Sequence, residues 1–279
     1  MKQKYISLLA IVAAAFLFGP SSALAQFPPE PPVNLGNAQT FGVLAGSTVT
    51  NTGATVVNGD LGVSPGLAIT GAPVVTGATY TGAASFAGLA QGSLSAAMTD
   101  AAGRTCDRVL TGTNLGTLVA PLTPGVYCFA SDAFLTGTLT LDFQGNPNAV
   151  FIFQIGTALT TAVGSSINLL NAGTTCPPNV FFQVGSSARL FTGTTFVGNI
   201  LADQSIELQS GSTLRGRALA SIGAVNLNGN TVTACGAAVV PPGGPPGVPA
   251  IPTLDFYGLA FLVVLLAGAG VFLMNRFAI

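Results

Sequence analysis

A short internal repeat in residues 187–235 constrains the fold more than any other feature of the sequence. Glycine and threonine recur there every 18 residues, at Gly193, Gly211 and Gly229 and at Thr195, Thr213 and Thr231. A constant short period predicts stacked units that bury their apolar faces against one another. Because helix-pair and propeller repeats need roughly 33 to 50 residues, this period fits one coil of a β-helix with three short strands and three turns.

Alternation within the repeat predicts which side chains point into the solenoid. The repeated threonines are expected to point outward. The inward residues are Leu190, Phe196, Leu208, Leu214 and Val232. The third unit departs from the pattern, because Leu227 lies one position away from the column of Leu190 and Leu208.

The composition argues against several classes of function. Only 6% of the residues are charged and the formal net charge is −1, so binding to nucleic acid through phosphate neutralisation is not expected. Histidine is absent, which removes Ser-His-Asp and Cys-His catalysis and His-ligated metal sites. Tryptophan is also absent, which weakens carbohydrate stacking, although Tyr and Phe can stack as well. We therefore expect no cofactor and no metal.

The N-terminal residues have the three parts of a secretory signal peptide. Lys2 and Lys4 precede an apolar run over residues 6–18, and small residues follow at 23–25. This order predicts a signal peptide over residues 1–25 with cleavage before Gln26; an N-terminal anchor is the alternative. Residues 26–34 form a proline-rich spacer.

The C-terminal residues suggest a tether and a sorting signal. Residues 237–250 form a Pro/Gly linker, and the apolar run from Phe256 is about 19 residues long, enough to span a bilayer. Asp255 and Arg276 flank it in the orientation expected after export. Residues 251–279 resemble the IPTL-CTERM sorting signals of Gram-negative bacteria, through Ile251, Pro252, Thr253, Leu254 and Gly258, with Tyr257 in place of Trp.

The resemblance to IPTL-CTERM signals implies an exported protein at the cell surface or outside the cell. It implies that an exosortase-type enzyme processes the C-terminus, with the C-terminal helix anchored in the membrane before processing. A plain C-terminal anchor is the alternative.

A helix interrupts the β pattern between residues 82 and 104. Apolar residues recur there at steps of three and four, which predicts an amphipathic helix at about residues 83–103 packed along the solenoid. The apolar residues at these steps are Phe86, Leu89, Ala90, Leu94, Ala97, Met98 and Ala101. Buried strands are predicted afterwards at residues 125–129, 149–155 and 180–184, so that the β-helix domain covers residues 35–236.

Four cysteines in an exported chain favour disulfides, and three pairings are possible. We favour Cys106 with Cys128, which would join the end of the helix to the resumed solenoid. We pair Cys176 with Cys235, which would tie an insertion to the last coil. No Cys-x-x-Cys motif is present, so a zinc or redox site is not expected.

Several longer motifs resemble the DUF3494 ice-binding protein family, in the same order along the chain. They cover residues 41–47, 59–66, 123–127, 148–156, 197–202 and 216–220. The resemblance implies a mainly β fold, a discontinuous right-handed β-helix of triangular section with one long α-helix alongside. It also implies that one flat face of the solenoid binds ice.

The physics of ice adsorption indicates which residues would form such a face. Ice offers no charge to pair with, so binding must rest on many weak contacts of a stiff surface. Stacked coils repeat at about 4.8 Å and alternate residues of a strand at about 6.7 Å, a grid similar in scale to the oxygen spacings in ice. Threonine suits this grid because it is stiff at χ1 and carries a methyl and a hydroxyl.

We expect the ice-binding residues among the outward positions of this grid and beside its turns. Arg215 and Val197 interrupt the grid, and a threonine ladder also stabilises a sheet that has no ligand. Thr192 and Ser210 flank the turns. The outward candidates are Thr138, Thr140, Ser166, Asn168, Thr195, Thr213, Thr231 and Thr233.

Two other functions compete with ice binding. The same scaffold could serve as a surface structural protein or adhesin that binds no ice. A polysaccharide-acting enzyme would need clustered carboxylates, whereas the carboxylates here are scattered and the nearest pair is Asp203 and Glu207. We expect no enzyme activity.

Overall fold

Short strands separated by glycine-containing turns stack on one another from coil to coil. The computed structural model describes residues 29–236. Within them are one long helix, α1 (Phe86–Ala102), two 3-10 helices (Gly36–Thr40 and Leu115–Thr117) and 23 strands. The strands are β1 Phe41–Ala45, β2 Thr48–Thr52, β3 Val56–Asn58, β4 Asp60–Val63, β5 Ala68–Thr70, β6 Val74–Val75, β7 Thr79–Thr81, β8 Arg108–Val109, β9 Gly125–Phe129, β10 Ala133–Leu135, β11 Thr138–Asp142, β12 Phe151–Ile155, β13 Leu159–Thr161, β14 Ser166–Leu170, β15 Val180–Val184, β16 Ala188–Leu190, β17 Thr195–Val197, β18 Asn199–Ala202, β19 Ile206–Leu208, β20 Thr213–Arg215, β21 Ala218–Ala220, β22 Val225–Asn228 and β23 Thr231–Thr233.

These strands form three parallel sheets, as expected for a β-helix. Sheet A has nine strands in the order β7-β4-β1-β21-β18-β15-β12-β9-β8. Sheet B has seven, in the order β10-β13-β16-β19-β22-β2-β5, and sheet C has seven, in the order β11-β14-β17-β20-β23-β3-β6. Seven coils contribute one strand to each sheet, whereas β7 and β8 add strands to sheet A alone. Equivalent residues of successive coils lie side by side.

The solenoid is discontinuous in sequence, as the family resemblance implies. The coil of β1–β3 stacks on the coil of β21–β23, with Val43 beside Ala218 and Val57 beside Val232. After β7 the chain passes through α1, and β8 then pairs with β9 at the opposite end of sheet A. The first and last coils of the chain therefore meet in the middle of the stack, at a junction that we call the seam.

Sheet A is buried on both faces because α1 covers its outer side. Phe151 and Phe153 of β12 belong to the solenoid interior, whereas Ile152 belongs to a second cluster with the helix residue Leu94. A strand buried on both faces has a nearly continuous apolar sequence, which Gln154 interrupts in β12 and Gln183 interrupts in β15. This explains why the sequence predicts the strands of residues 125–129, 149–155 and 180–184 from continuous apolar runs.

The helix lies close to its predicted position, but the set of residues that it buries against the sheet differs from the predicted set. Ser85 caps it by accepting a hydrogen bond from the Ala87 amide, and so it begins at Phe86 rather than near residue 83. The prediction that Leu89 packs inward is wrong, since 61% of this side chain is exposed. The buried residues are mostly small: Ala87, Ala90, Leu94, Ala97 and Ala101. Small side chains let the helix backbone approach the sheet closely.

The two glycines within the helix have different surroundings, and we expect opposite effects from replacing them. A Cβ on Gly92 would meet no atom within 4 Å, whereas a Cβ on Gly88 would lie 2.1 Å from the Ala83 carbonyl oxygen. Gly92→Ala should raise the free energy of unfolding by about 1 kcal/mol through helix propensity. Gly88→Ala should lower it by about 1 to 3 kcal/mol through overpacking. Urea titration measures both, and equal effects would contradict the assigned contacts.

The structure explains the irregular position of Leu227 in the repeat. Leu227 pairs with Leu208, whereas Thr231 pairs with Thr213, so both columns stay in register. The turn before β22 (residues 221–224) has one residue more than the equivalent turn 203–205, and the turn after Leu227 has one fewer. The five residues predicted to point inward, Leu190, Phe196, Leu208, Leu214 and Val232, are all buried.

Both favoured disulfides are present. Cys106 bonds to Cys128 beside the end of α1, and Cys176 bonds to Cys235. The second bond ties residues 171–179, between β14 and β15, to the last coil.

A buried arginine holds the seam together. Arg217 is 1% exposed, and its Nε donates to the Gln39 carbonyl oxygen at 2.9 Å. Its Nη1 donates to Asn199 Oδ1 at 2.8 Å and its Nη2 to the Cys235 carbonyl oxygen at 2.7 Å. Burial lowers the pKa of Arg217 to about 10, because desolvation disfavours the charge, so the guanidinium remains protonated at neutral pH. Arg217 thus joins the segment before β1 to the end of β23.

Several predictions concern residues outside the described range. The signal peptide (residues 1–25), the linker (237–250) and the sorting segment with its transmembrane helix (251–279) all lie there. Within residues 29–236, no helix has the length and apolar character needed to cross a bilayer. The proline-rich spacer is described from Pro29 onward; Val33 is buried with α1, and Glu30 forms an ion pair with Arg104 at 2.9 Å.

Candidate functional site

Sheet C brings five of the predicted residues into one outward column. Strand register places Thr138 beside Ser166, Ser166 beside Thr195, Thr195 beside Thr213, and Thr213 beside Thr231. We call these five residues the hydroxyl column. It crosses five successive coils without a charged side chain, and Val56 and Val74 continue it on the two coils beyond the seam.

A second outward column on sheet C is less regular. Thr140 pairs with Asn168, and on later coils Arg215 pairs with Thr233 and Thr233 with Asn58. Val197 pairs with Arg215 in this column but is fully buried, so that coil offers no exposed polar side chain and the column is interrupted there, as expected. Arg215 does lie in this column, half-buried, and gives it one positive charge.

The predicted flanking residues Thr192 and Ser210 lie at turns between sheets B and C. Each precedes a glycine with positive φ, Gly193 at 69° and Gly211 at 67°, which is a conformation that favours glycine. The Gly193 amide donates to the Ser210 carbonyl oxygen at 3.1 Å. The turns therefore stack in register as the strands do, and Thr192 and Ser210 form a short line beside the hydroxyl column.

A buried polar ladder beneath these turns was not predicted from the sequence. Thr161 and Thr194 share a hydrogen bond at 2.8 Å between their hydroxyls. Asn230 Nδ2 donates to Ser212 Oγ at 2.9 Å, and the Asn230 amide donates to Thr55 Oγ1 at 3.1 Å. The signal in the sequence is the polar residue between each repeated glycine and threonine. Satisfied buried networks of this kind hold a turn in one conformation, which makes the surface above it stiff.

The hydroxyl column differs along its length in what its hydroxyls bind. Thr138 Oγ1 and Ser166 Oγ hydrogen-bond to each other at 2.9 Å. Within residues 29–236, the hydroxyls of Thr195, Thr213 and Thr231 make no hydrogen bond to another protein group. These three hydroxyls are therefore available to external water, from side chains that are half-buried at Thr195 and Thr213 and exposed at Thr231.

We looked in residues 29–236 for the two arrangements considered for catalysis, a metal-binding cluster and a carboxylate pair. No three His, Cys, Asp or Glu side chains in residues 29–236 lie close enough to hold a metal ion. Asp203, one member of the nearest carboxylate pair in sequence, accepts a hydrogen bond from Gln204, while Glu207 forms an ion pair with Arg189. The hydroxyl column on sheet C is instead an uncharged row of hydroxyl-bearing side chains on a regular sheet, which suits adsorption to a surface.

Proteins of similar sequence share this architecture. A family model described as ice-binding-like matches residues 43–233. An ice-binding protein from Nostoc sp. (strain HG1) is 48% identical over 236 residues, which cover 84% of this chain and 83% of that protein. An ice-binding protein from Colwellia sp. is 35% identical over 221 residues, which cover 72% of this chain and 83% of that protein.

Solved structures resemble the chain over the same region. The crystal structure of an ice-binding protein from an Antarctic biological consortium superposes with a TM-score of 0.70 at 41% identity, covering 75% of this chain and 93% of that chain. The DUF3494 domain of ice-binding protein 1 from Shewanella frigidimarina gives a TM-score of 0.66 at 30% identity, covering 75% and 99%. The similarity thus extends over nearly the whole of each solved domain.

Proposed function

The chain belongs to the ice-binding-like family, and on that premise we propose that it is an ice-binding protein that adsorbs to ice through sheet C. Its relatives are named as ice-binding proteins, and we propose that this chain likewise acts by adsorption, without catalysis. The contact surface comprises the hydroxyl column, the turn residues Thr192 and Ser210, and Thr140, Asn168 and Thr233 of the second column.

The observation that carries this proposal is the register of the hydroxyl column. Five hydroxyl-bearing residues on successive coils occupy equivalent positions of one parallel sheet. Neighbouring strands lie about 4.8 Å apart, so the hydroxyls repeat at a regular interval. Threonine is stiff at χ1, and so little side-chain entropy is lost when such a row meets a crystal.

The methyl and hydroxyl of each threonine contribute differently to adsorption. The methyl disfavours contact with liquid water, while a hydroxyl without a protein partner can hydrogen-bond an ordered water. Thr195, Thr213 and Thr231 offer such hydroxyls at the centre of sheet C. We therefore place the strongest ice contacts at these three residues.

We also propose that the protein is exported. Its two disulfides suit an oxidising compartment, and residues 1–25 have the pattern of a signal peptide. Residues 251–279 resemble a sorting signal, from which we propose transient membrane anchoring and processing by an exosortase-type enzyme in a Gram-negative bacterium. Display at a cell surface would place sheet C in contact with external ice.

Slow freezing of a dilute solution of the purified protein tests the proposed function. Ice grown from this solution should be enriched in the protein relative to the remaining liquid, and the protein should inhibit recrystallisation of fine-grained ice. A sample unfolded by heat and reducing agent provides the control, because it has the same composition without the sheet. Exclusion of the folded protein from ice, with recrystallisation at the rate seen in buffer, would overturn the proposal.

A further inference from the structure

Sheet B carries an outward column with the same geometry as the hydroxyl column. Register pairs Phe134 with Thr160, Thr160 with Arg189, Arg189 with Glu207, and Glu207 with Asn226. Thr50 and Thr70 continue this column beyond the seam. The strands of sheets B and C are thus both parallel and stacked coil on coil. The feature in which the two columns differ is the chemistry of their side chains.

An ion pair occupies the centre of the sheet B column. Arg189 Nε lies 2.8 Å from Glu207 Oε2, and the two side chains are 52% and 33% exposed. Gln209 Nε2 donates to Glu207 Oε1 at 3.1 Å, and the Arg189 guanidinium lies 5.8 Å from the centre of the Phe191 ring. Arg189, Glu207 and Gln209 are thus linked by polar contacts across two adjacent coils.

This ion pair contributes little to the stability of the fold. Exposed pairs typically contribute at most about 1 kcal/mol, and both strands are already held by the backbone ladder. Ionised groups hold their hydration strongly, however, and removing that water without a compensating partner is costly. An ice lattice provides no compensating charge. The ion pair thus opposes ice contact at the centre of an otherwise regular column.

We propose that the Arg189–Glu207 ion pair prevents sheet B from adsorbing to ice, so that the molecule binds ice from one side only. This inference rests on the ice-binding function proposed above. Apart from the pair and Phe134 at one end, the column consists of uncharged polar residues: Thr160, Asn226, Thr50 and Thr70. On sheet C the charged residue Arg215 lies beside the hydroxyl column and not within it. Apart from Phe134, the ion pair is therefore what separates the sheet B column from an uncharged polar column.

Substitution of the ion pair in a protein whose sheet C is blocked tests this inference. The blocked protein carries Thr195→Tyr and Thr213→Tyr, and the test protein carries Arg189→Thr and Glu207→Thr in addition. The added substitutions give six successive uncharged polar side chains on sheet B. We expect ice to capture several-fold more of the test protein than of the blocked protein, while circular dichroism shows that both remain folded.

A charge-reversed variant provides the matched control. Arg189→Glu with Glu207→Arg in the blocked protein changes the same two positions but preserves an ion pair, so capture by ice should stay at the blocked level. A folded test protein that is captured no better than the blocked protein would overturn the inference and leave the role of sheet C intact. Equal capture of the blocked protein and the unsubstituted protein would instead overturn the assignment of sheet C, and this inference with it.

Discussion

The combined substitutions Thr195→Tyr and Thr213→Tyr should reduce adsorption to ice to the background level without unfolding the domain. The two residues are neighbours on sheet C, and both hydroxyls lack a protein partner within residues 29–236. A phenol ring at each position would stand above the row and hold ice away from Thr138, Ser166 and Thr231. Partition of the protein into slowly grown ice measures the loss.

Tyrosines on another sheet control for bulk and for surface chemistry. Thr50 and Thr70 are exposed neighbours on sheet B, and Thr50→Tyr with Thr70→Tyr should leave partition into ice unchanged. Surface substitutions usually change the free energy of unfolding by less than about 0.5 kcal/mol, so thermal melting should barely shift in either double variant. Retained adsorption in the sheet C variant, or loss in the sheet B variant, would show that the ice-binding face is wrongly assigned.

Replacing Arg217 with methionine should destabilise the fold far more than any of the surface substitutions, by about 3 to 5 kcal/mol. The substitution leaves the carbonyl oxygens of Gln39 and Cys235 and the amide oxygen of Asn199 without the donor that they share. A buried acceptor left without a donor costs about 1 to 3 kcal/mol, and three such acceptors account for a loss of this order. Chemical denaturation measures the change in the free energy of unfolding.

Arg215→Met offers a matched comparison two residues earlier. Arg215 is half-buried on sheet C and forms no salt bridge within residues 29–236, so its loss should change stability by no more than about 0.5 kcal/mol. Hydrogen exchange should also accelerate at the seam in the Arg217 variant, around residues 38–45 and 216–220. Similar stability losses in the two variants would contradict the role assigned to Arg217.

The regular part of the solenoid could be predicted because its period is visible in residues 187–235. Five inward side chains follow from strand alternation and the helix follows from apolar spacing. The cysteines alone allow three pairings, and the favoured one is the pairing that the structure has. Thr195, Thr213 and Thr231 gather on one sheet because an 18-residue coil with three strands returns each threonine to the same side. Thr138 and Ser166 lie on longer coils and join them through strand register.

The seam and the chemistry of sheet B could not be predicted by the same reasoning. Pairing of β1 with β21 joins distant segments that share no visible period, and only the family resemblance implied a discontinuous solenoid. Arg217 looks like any other arginine in the sequence, although it is buried. Arg189 and Glu207 are also 18 residues apart, so the repeat places them on adjacent coils, but the period alone does not show that their side chains form an ion pair.

The seam has a consequence for how the chain is made. Asn230 and Thr55 pair across 175 residues of chain, and β1–β3 have no partner on one edge until β21–β23 are in place. Synthesis delivers the N-terminal segment first, so β1–β3 cannot complete their pairing until the last coil has been made. A chain truncated before β21 would leave the edges of β1–β3 open in the middle of the molecule, and such edges readily pair with those of other chains.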